Sequence, residues 1–167
     1  MKGVPDYLAN DLKILFVGYN PGILSGETGH HFATPNNRFW NILYRAQLTP
    51  RKYKPEEDSQ LLELGYGITN IVPRPTRAAS EITPEEYEKG RKELFKKISF
   101  CRPRVVCFVG KGVYEQYSGR KRNIPWGVQE ESVVTGVIDF VAPSSSGLVR
   151  MKIDEIVEIY KGLKAII

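Results

Sequence analysis

Residues 12–22 run Leu-Lys-Ile-Leu-Phe-Val-Gly-Tyr-Asn-Pro-Gly, and this stretch decides the fold class. The nearly continuous apolar run Leu12–Tyr19 is typical of a strand that is covered on both faces, as in a parallel sheet. Asn20-Pro21-Gly22 is a strong turn signal. The sequence therefore predicts a buried strand that ends in a polar turn, followed by a loop rich in glycine and polar residues as far as Pro35.

The other elements are predicted from caps, breakers and apolar runs. We expect further strands at 67–72, 104–110 and 133–142, the last either bent or split into a hairpin at Gly136. We expect helices at 38–46, 55–64, 84–99, 112–117 and 152–167, the third of them opened by the capping box Thr83-Pro84-Glu85-Glu86. This order predicts one domain over residues 1–167, an α/β three-layer αβα sandwich around a central, mostly parallel four-stranded sheet.

Composition limits the classes of protein. The formal net charge of +5 and the pI of about 9.2 lean toward an anionic partner such as nucleic acid. Cys101 and Cys107 are too few for a metal site, and Cys107 lies in an apolar run. The N-terminus lacks the apolar core of a signal peptide, and no apolar run approaches the ~20 residues of a membrane span. We therefore expect a soluble protein with no membrane partner, cytoplasmic and nucleoid-associated in a prokaryote or nuclear in a eukaryote.

The site is expected at one edge of the sheet, because ligands of parallel sheets bind beyond the carboxyl ends of the strands. Four segments meet at that edge: 20–32, 70–76, the loop after Gly110, and 143–150. None carries a G-x-G-x-x-G or Walker fingerprint, which argues against a nucleotide-binding regulator.

The first of these segments offers an amide and an aromatic ring. Asn20 follows a strand and precedes a rigid proline, so it either belongs to a tight structural turn or orients a water molecule through its amide. His30 and His31 point to different sides and have no third ligand at a suitable spacing, so we expect no metal. Phe32 either packs in the core or stacks on a base, an interaction worth ~1–3 kcal/mol.

The later segments offer further groups suited to a nucleotide. Asn70 presents a donor and an acceptor that match the edge of a pyrimidine, or else it is a satisfied structural asparagine. Pro143–Arg150 is a serine-rich loop that either binds a phosphate or is flexible around one buried leucine. Leu148 at its tip suits a wedge that enters a base stack, and Arg150 could reach a phosphate.

In combination, these motifs resemble a known family. Gly18-Tyr19-Asn20-Pro21-Gly22, Asn37-Arg38-Phe39-Trp40, Gly67-Ile68-Thr69-Asn70 and Pro143-Ser144-Ser145-Ser146 are similar to motifs of the mismatch-specific uracil-DNA glycosylase and thymine-DNA glycosylase branch of the uracil-DNA glycosylase superfamily. The similarity extends from about Leu12 to the last helix.

The resemblance implies a role for each site residue. Asn20 would be the catalytic asparagine that positions the hydrolytic water, and the backbone of Tyr19 and Phe32 would grip the base edge. The implied base pocket consists of Tyr19, Ser25 (near the 5-position of the base), His31, Phe32 (whose ring stacks on the base), Asn70 and Thr76. The implied DNA contacts are Lys111, Ser144, Ser145, Ser146, Gly147, Leu148 (the wedge that fills the vacated stack) and Arg150.

The implied activity is that of a monofunctional DNA glycosylase without cofactors. It would act as a monomer on double-stranded DNA and start base excision repair. It would flip uracil out of G·U mismatches, with thymine from G·T mismatches and other damaged pyrimidines as further substrates, and release the base by attack of water. Two alternatives stay open: a glycosylase for hypoxanthine or xanthine, and a non-catalytic mismatch-binding protein. Asn20 separates the last of these from an enzyme, because a pure reader of mismatches does not need it.

Overall fold

The computed structural model describes residues 3–167, in which a central sheet separates two helical layers. The strands are β1 (Ile14–Gly18), β2 (Tyr66–Asn70), β3 (Val105–Val109), β4 (Gly127–Val128) and β5 (Ile138–Ala142). Their order in the sheet is β2-β1-β3-β5-β4, and every pair is parallel except β4 with β5. The predicted three-layer, mostly parallel α/β fold is confirmed. The fifth strand was not predicted, because its two residues are too few to form an alternating pattern.

The helices cover both faces of the sheet. They are α1 (Ile23–Thr28), α2 (Phe39–Arg45), α3 (Pro84–Cys101), α4 (Lys111–Ser118) and α5 (Ile153–Lys161), with 3₁₀ helices at Pro55–Leu64, Ala79–Glu81 and Lys164–Ile166. In β1, Ile14 and Phe16 pack with α2 and α5, whereas Leu15 and Val17 pack with α3 and α4. This burial on both faces explains why the strand is apolar at nearly every position.

Four boundaries differ from the sequence prediction. Part of the loop expected after Gly22 is helix α1, and residues 55–64 form a 3₁₀ rather than an α-helix. Residues 133–137 form a turn, so the strand expected at 133–142 begins only at Ile138, and Gly136 has the left-handed φ of +88°. The last helix ends at Lys161 and continues only as a short 3₁₀ turn. The capping box of α3 is present, with Thr83 Oγ1 accepting from Glu86 N at 3.1 Å.

The N-terminal segment crosses the outer edge of β2. Tyr7 exchanges two backbone hydrogen bonds with Ile68 at 2.9 and 3.0 Å. Thr69 Oγ1 donates to the Asp6 carboxylate at 2.7 Å, and Lys97 forms an ion pair with it at 2.7 Å. The segment is therefore fixed on both its backbone and its side chains. None of the helices within residues 3–167 combines the length and apolarity required to cross a bilayer.

A buried polar cluster lies beneath α4, away from the carboxyl edge of β1. Asp139 Oδ2 accepts from Tyr114 Oη at 3.2 Å and from Val133 N at 3.1 Å. Asp139 Oδ1 is buried without a partner among residues 3–167. Because burial disfavours the charged carboxylate more than the two hydrogen bonds favour it, the pKa of Asp139 is raised to about 6.

Candidate active site

A pocket of about 390 Å³ opens at the carboxyl ends of β1, β2 and β3, as the sequence predicts for this class of sheet. Eleven of the predicted site residues line it: Tyr19, Asn20, Ser25, His31, Phe32, Asn70, Thr76, Ser144, Ser145, Ser146 and Leu148. Three predicted DNA contacts, Lys111, Gly147 and Arg150, do not contribute to the lining. The structure therefore brings together most of the predicted site, drawn from segments more than 100 residues apart.

The side chain of Asn20 is held in one orientation. Its Nδ2 donates to the carbonyl oxygen of Arg74 at 2.7 Å and to Thr76 Oγ1 at 2.8 Å. A carbonyl oxygen can only accept, so the atom facing it must be the amide nitrogen. Thr76 Oγ1 in turn donates to the Ala78 carbonyl at 2.8 Å. The amide nitrogen is thus fully used, and Asn20 Oδ1 accepts no hydrogen bond from residues 3–167, which leaves it available to a ligand.

Thr76 lines the pocket and also holds Asn20. Its hydroxyl accepts from Asn20 and donates to Ala78, so its one proton is used within the protein. Its backbone N–H donates to Pro21 O at 3.1 Å, and Thr76 pairs with Gly22 in an isolated bridge. These bonds fasten the segment after β2 to the turn after β1, and the Thr76 hydroxyl holds the amide of Asn20 in place.

Asn70 ends β2 beside Gly18, the last residue of β1. A Cβ atom at Gly18 would lie 2.7 Å from Asn70 Oδ1, so the glycine makes room for the amide. Asn70 is half-buried, and its amide has no hydrogen-bond partner within residues 3–167. The sequence left two alternatives for Asn70, recognition of a pyrimidine edge or a structural asparagine with satisfied hydrogen bonds. The free amide favours the first of these.

The loop between α1 and α2 is fastened around Phe32. Asp58 Oδ2 accepts from His31 N at 2.8 Å, and Ser25 Oγ accepts from Ala33 N at 3.0 Å. The Phe32 N–H lies between these two and has no acceptor among residues 3–167. Phe32 adopts the left-handed φ of +50°, a conformation that costs energy for a residue with a Cβ and that the flanking bonds maintain.

The ring of Phe32 belongs to both the core and the pocket. It stacks on Phe39 with the ring centroids 4.0 Å apart and the planes at 19°, and it also lines the pocket. Phe39 supports the ring from behind, as a stacking platform requires. The two roles expected for Phe32 therefore do not exclude each other.

Asp58 is a buried residue behind the pocket wall that sequence reasoning did not identify. Its side chain is only 1% exposed, and it accepts from His31 N and bonds His30 Nδ1 at 3.2 Å. Burial, and after it the Asp58 charge, raises the pKa of Tyr7 to about 12. Asp58 sits in the first turn of a 3₁₀ helix, a common place for acidic residues that are merely exposed, so no local signal distinguishes it.

The imidazole of His31 is directed to the N-terminal segment. Its Nε2 lies 2.7 Å from the carbonyl oxygen of Pro5, so this nitrogen carries the proton and donates it. Burial lowers the pKa of His31 below its ordinary value, although its contacts with Pro5 and Asp58 oppose that effect, so the ring is neutral at pH 7. No group of three or more His, Cys, Asp or Glu side chains in residues 3–167 is arranged to hold a metal ion.

Arg38 fastens the serine-rich loop to the start of α2. The Arg38 backbone N–H donates to Ser145 O at 2.9 Å, and its guanidinium donates to Ser146 O at 3.1 Å. A Cβ at Gly147 would lie 2.7 Å from the carbonyl oxygen of Asn36, so the loop packs closely on the start of α2. Leu148 is 94% exposed, which excludes the alternative of a buried leucine anchor. The loop therefore holds an apolar side chain out into solvent.

Lys111 lies at the start of α4, beside the pocket wall. Its ammonium group sits 4.2 Å from the centre of the Trp126 ring, a cation–π contact. The adjacent Gly112 accommodates the side chain of Tyr19, because a Cβ there would lie 1.4 Å from Tyr19 Oη. Burial raises the pKa of Tyr19 to about 12, so its hydroxyl stays protonated. Arg150 is exposed at the end of the serine-rich loop and does not line the pocket.

The chain is similar to known proteins in its family and in its fold. A family model described as the uracil DNA glycosylase superfamily matches residues 5–164. A solution NMR structure of a candidate uracil DNA glycosylase from Methanosarcina acetivorans superposes with a TM-score of 0.60, covering 98% of each chain at 22% sequence identity. At that identity the structural match establishes the shared fold.

Proposed function

The chain belongs to the uracil DNA glycosylase superfamily, and we propose that it removes uracil from double-stranded DNA, with uracil opposite guanine as its preferred substrate. Extruding a nucleotide from a duplex costs a few kcal/mol and less at a mismatch, which favours G·U over A·U. Thymine opposite guanine is the second substrate that we propose to test.

The observation that carries the proposal is the orientation of Asn20. Its amide nitrogen is bound by Arg74 O and Thr76 Oγ1, so Oδ1 is the atom left for the pocket. A neutral carboxamide oxygen can accept a hydrogen bond from water but cannot remove its proton to any useful extent. Asn20 therefore aligns a water molecule for attack on the sugar carbon without acting as a general base.

Stabilisation of the leaving base must supply much of the rate. Cleavage of the N-glycosidic bond places positive charge on the sugar and negative charge on the base. The free Phe32 N–H and the free Asn70 amide are donors that can receive this negative charge, and preorganised donors of this kind are typically worth ~10²–10³ in rate. The phosphates of the DNA favour the sugar cation.

Two further features support base flipping and hydrolysis by water. Leu148, 94% exposed at the tip of an ordered loop, suits a wedge that occupies the space of the extruded base. Among the pocket-lining residues there is no lysine that could form a Schiff base with the sugar. We therefore propose a monofunctional enzyme that leaves an abasic site without cutting the strand.

The test is a single-turnover assay on labelled duplexes that contain G·U, A·U, G·T or G·hypoxanthine, and on single-stranded uracil DNA, with abasic sites revealed by alkali. Asn20→Ala is compared with Asn10→Ala, a matched control at an exposed position before β1. We expect the parent and Asn10→Ala to cleave G·U fastest, and Asn20→Ala to lose at least 10²-fold in rate.

Leu148→Ala is a further variant to be measured in the same assay. We expect weaker binding and slower cleavage of the duplex, with little change on single-stranded DNA, because only the duplex requires a wedge. Binding of mismatched duplexes without cleavage by the parent would replace the enzyme with a mismatch-binding protein. Fastest cleavage of the hypoxanthine duplex would assign a different base to the same site.

A further inference from the structure

The rim of the pocket carries one residue that the site described above does not use. Among the pocket-lining residues, Arg77 is the only lysine, arginine, aspartate or glutamate. It follows Thr76, whose N–H donates to Pro21 O at 3.1 Å and whose hydroxyl donates to Ala78 O at 2.8 Å. The backbone on both sides of Arg77 is therefore fixed against the turn that carries Asn20.

The charge of Arg77 is not neutralised by the protein. Neighbouring Arg74 shows the contrast, because its guanidinium binds both oxygens of Glu86 at 2.8 and 2.9 Å and the carbonyl of Glu81 at 3.0 Å. Arg77 forms no ion pair or side-chain hydrogen bond with residues 3–167. The nearby carboxylate of Glu81 already accepts from Ala78 N at 2.8 Å. An exposed, unpaired guanidinium thus lies at the mouth of an otherwise uncharged pocket.

Arg77 and Leu148 line the same pocket from different loops. A duplex with Leu148 in its base stack must bring the backbone of the damaged strand across the pocket mouth. That backbone carries one negative charge per nucleotide, and a guanidinium binds phosphate oxygens in a planar, bidentate geometry. We propose that Arg77 binds a phosphodiester group next to the flipped nucleotide, an inference that rests on the proposed function.

Arg77 would act on capture of the flipped nucleotide rather than on bond cleavage. Arg77 lies next to Thr76 in the chain, whereas the groups proposed to face the water and the leaving base belong to Asn20 and Phe32. Loss of its charge should weaken binding of the damaged duplex by about 10-fold. The plot of the logarithm of the association constant against the logarithm of salt concentration has a negative slope, and this slope should become less steep by about 0.9, the contribution of one phosphate contact. The single-turnover rate at saturating enzyme should stay within about 3-fold of the parent.

The experiment uses a labelled G·U duplex in which 2′-fluoro-2′-deoxyuridine replaces deoxyuridine, because fluorine disfavours positive charge on the sugar and blocks cleavage. Arg77→Gln is compared with the parent and with Arg104→Gln, a control on the opposite edge of the sheet, where an exposed arginine precedes β3. Each protein is titrated with duplexes that carry one neutral methylphosphonate linkage at successive positions around the uridine.

We expect the parent and Arg104→Gln to lose about 10-fold in affinity when one particular linkage is neutralised, and Arg77→Gln to be insensitive to that same linkage. Equal losses in Arg77→Gln and the parent at every linkage would overturn the assignment, as would parental affinity in Arg77→Gln on unmodified DNA. The proposed function is judged separately, because it fails if the parent does not release uracil from ordinary G·U DNA, whatever Arg77 binds.

Discussion

Replacing Thr76 by valine should slow the chemical step without weakening DNA binding. Valine has nearly the shape of threonine but cannot accept a hydrogen bond, so Asn20 Nδ2 keeps only its 2.7 Å bond to Arg74 O. Loss of one such bond costs about 1 kcal/mol, and an unsatisfied buried donor up to about 3 kcal/mol. We therefore expect the single-turnover rate on G·U DNA to fall between about 5-fold and 150-fold.

Thr76→Ser is the matched control, because it keeps the hydroxyl and removes only the methyl group. We expect it to cleave within about 3-fold of the parent, and both variants to bind the duplex like the parent, since the hydroxyl is occupied within the protein. Thermal unfolding of each variant shows whether the fold is kept. A Thr76→Val enzyme that cleaves at the parental rate would refute the argument, and so would a serine variant as slow as the valine one.

Two further substitutions test buried carboxylates. Asp58→Asn should lower the single-turnover rate about 10-fold, because it weakens the acceptor that holds His31 N beside Phe32; parental rates in a stable variant would contradict this. Asp139→Asn should raise the free energy of unfolding at pH 8 by up to about 3 kcal/mol. Burial raises the pKa of Asp139 to about 6, so the carboxylate destabilises the folded state above pH 6, and this cost disappears as the pH falls toward 4. The free energy of unfolding, measured in urea, should therefore change less between pH 4 and 8 in Asp139→Asn than in the parent, and the glycosylase activity should be unchanged. Parallel pH profiles of the two proteins would contradict the assignment.

Local patterns were sufficient for the four parallel strands of the sheet and for the edge at which most of the predicted site residues gather. The apolar run before Asn20 predicted a strand buried on both faces, and β1 is buried throughout. The same reasoning could not find α1, which has only six residues, or β4, which has two. Elements this short depend on what packs against them, and their own side chains carry too little periodicity to reveal them.

The sequence by itself determined the α/β fold and which polar residues gather at the carboxyl edge of the sheet, because both follow from strand patterns and from the geometry common to parallel sheets. Only the tertiary structure decided how the side chains of those residues are oriented. The orientation of Asn20 depends on Arg74 and Thr76, 54 and 56 positions away, and the Phe32 loop depends on Asp58. Such contacts arise where separate loops pack together, and no local pattern encodes which donor will meet which acceptor there.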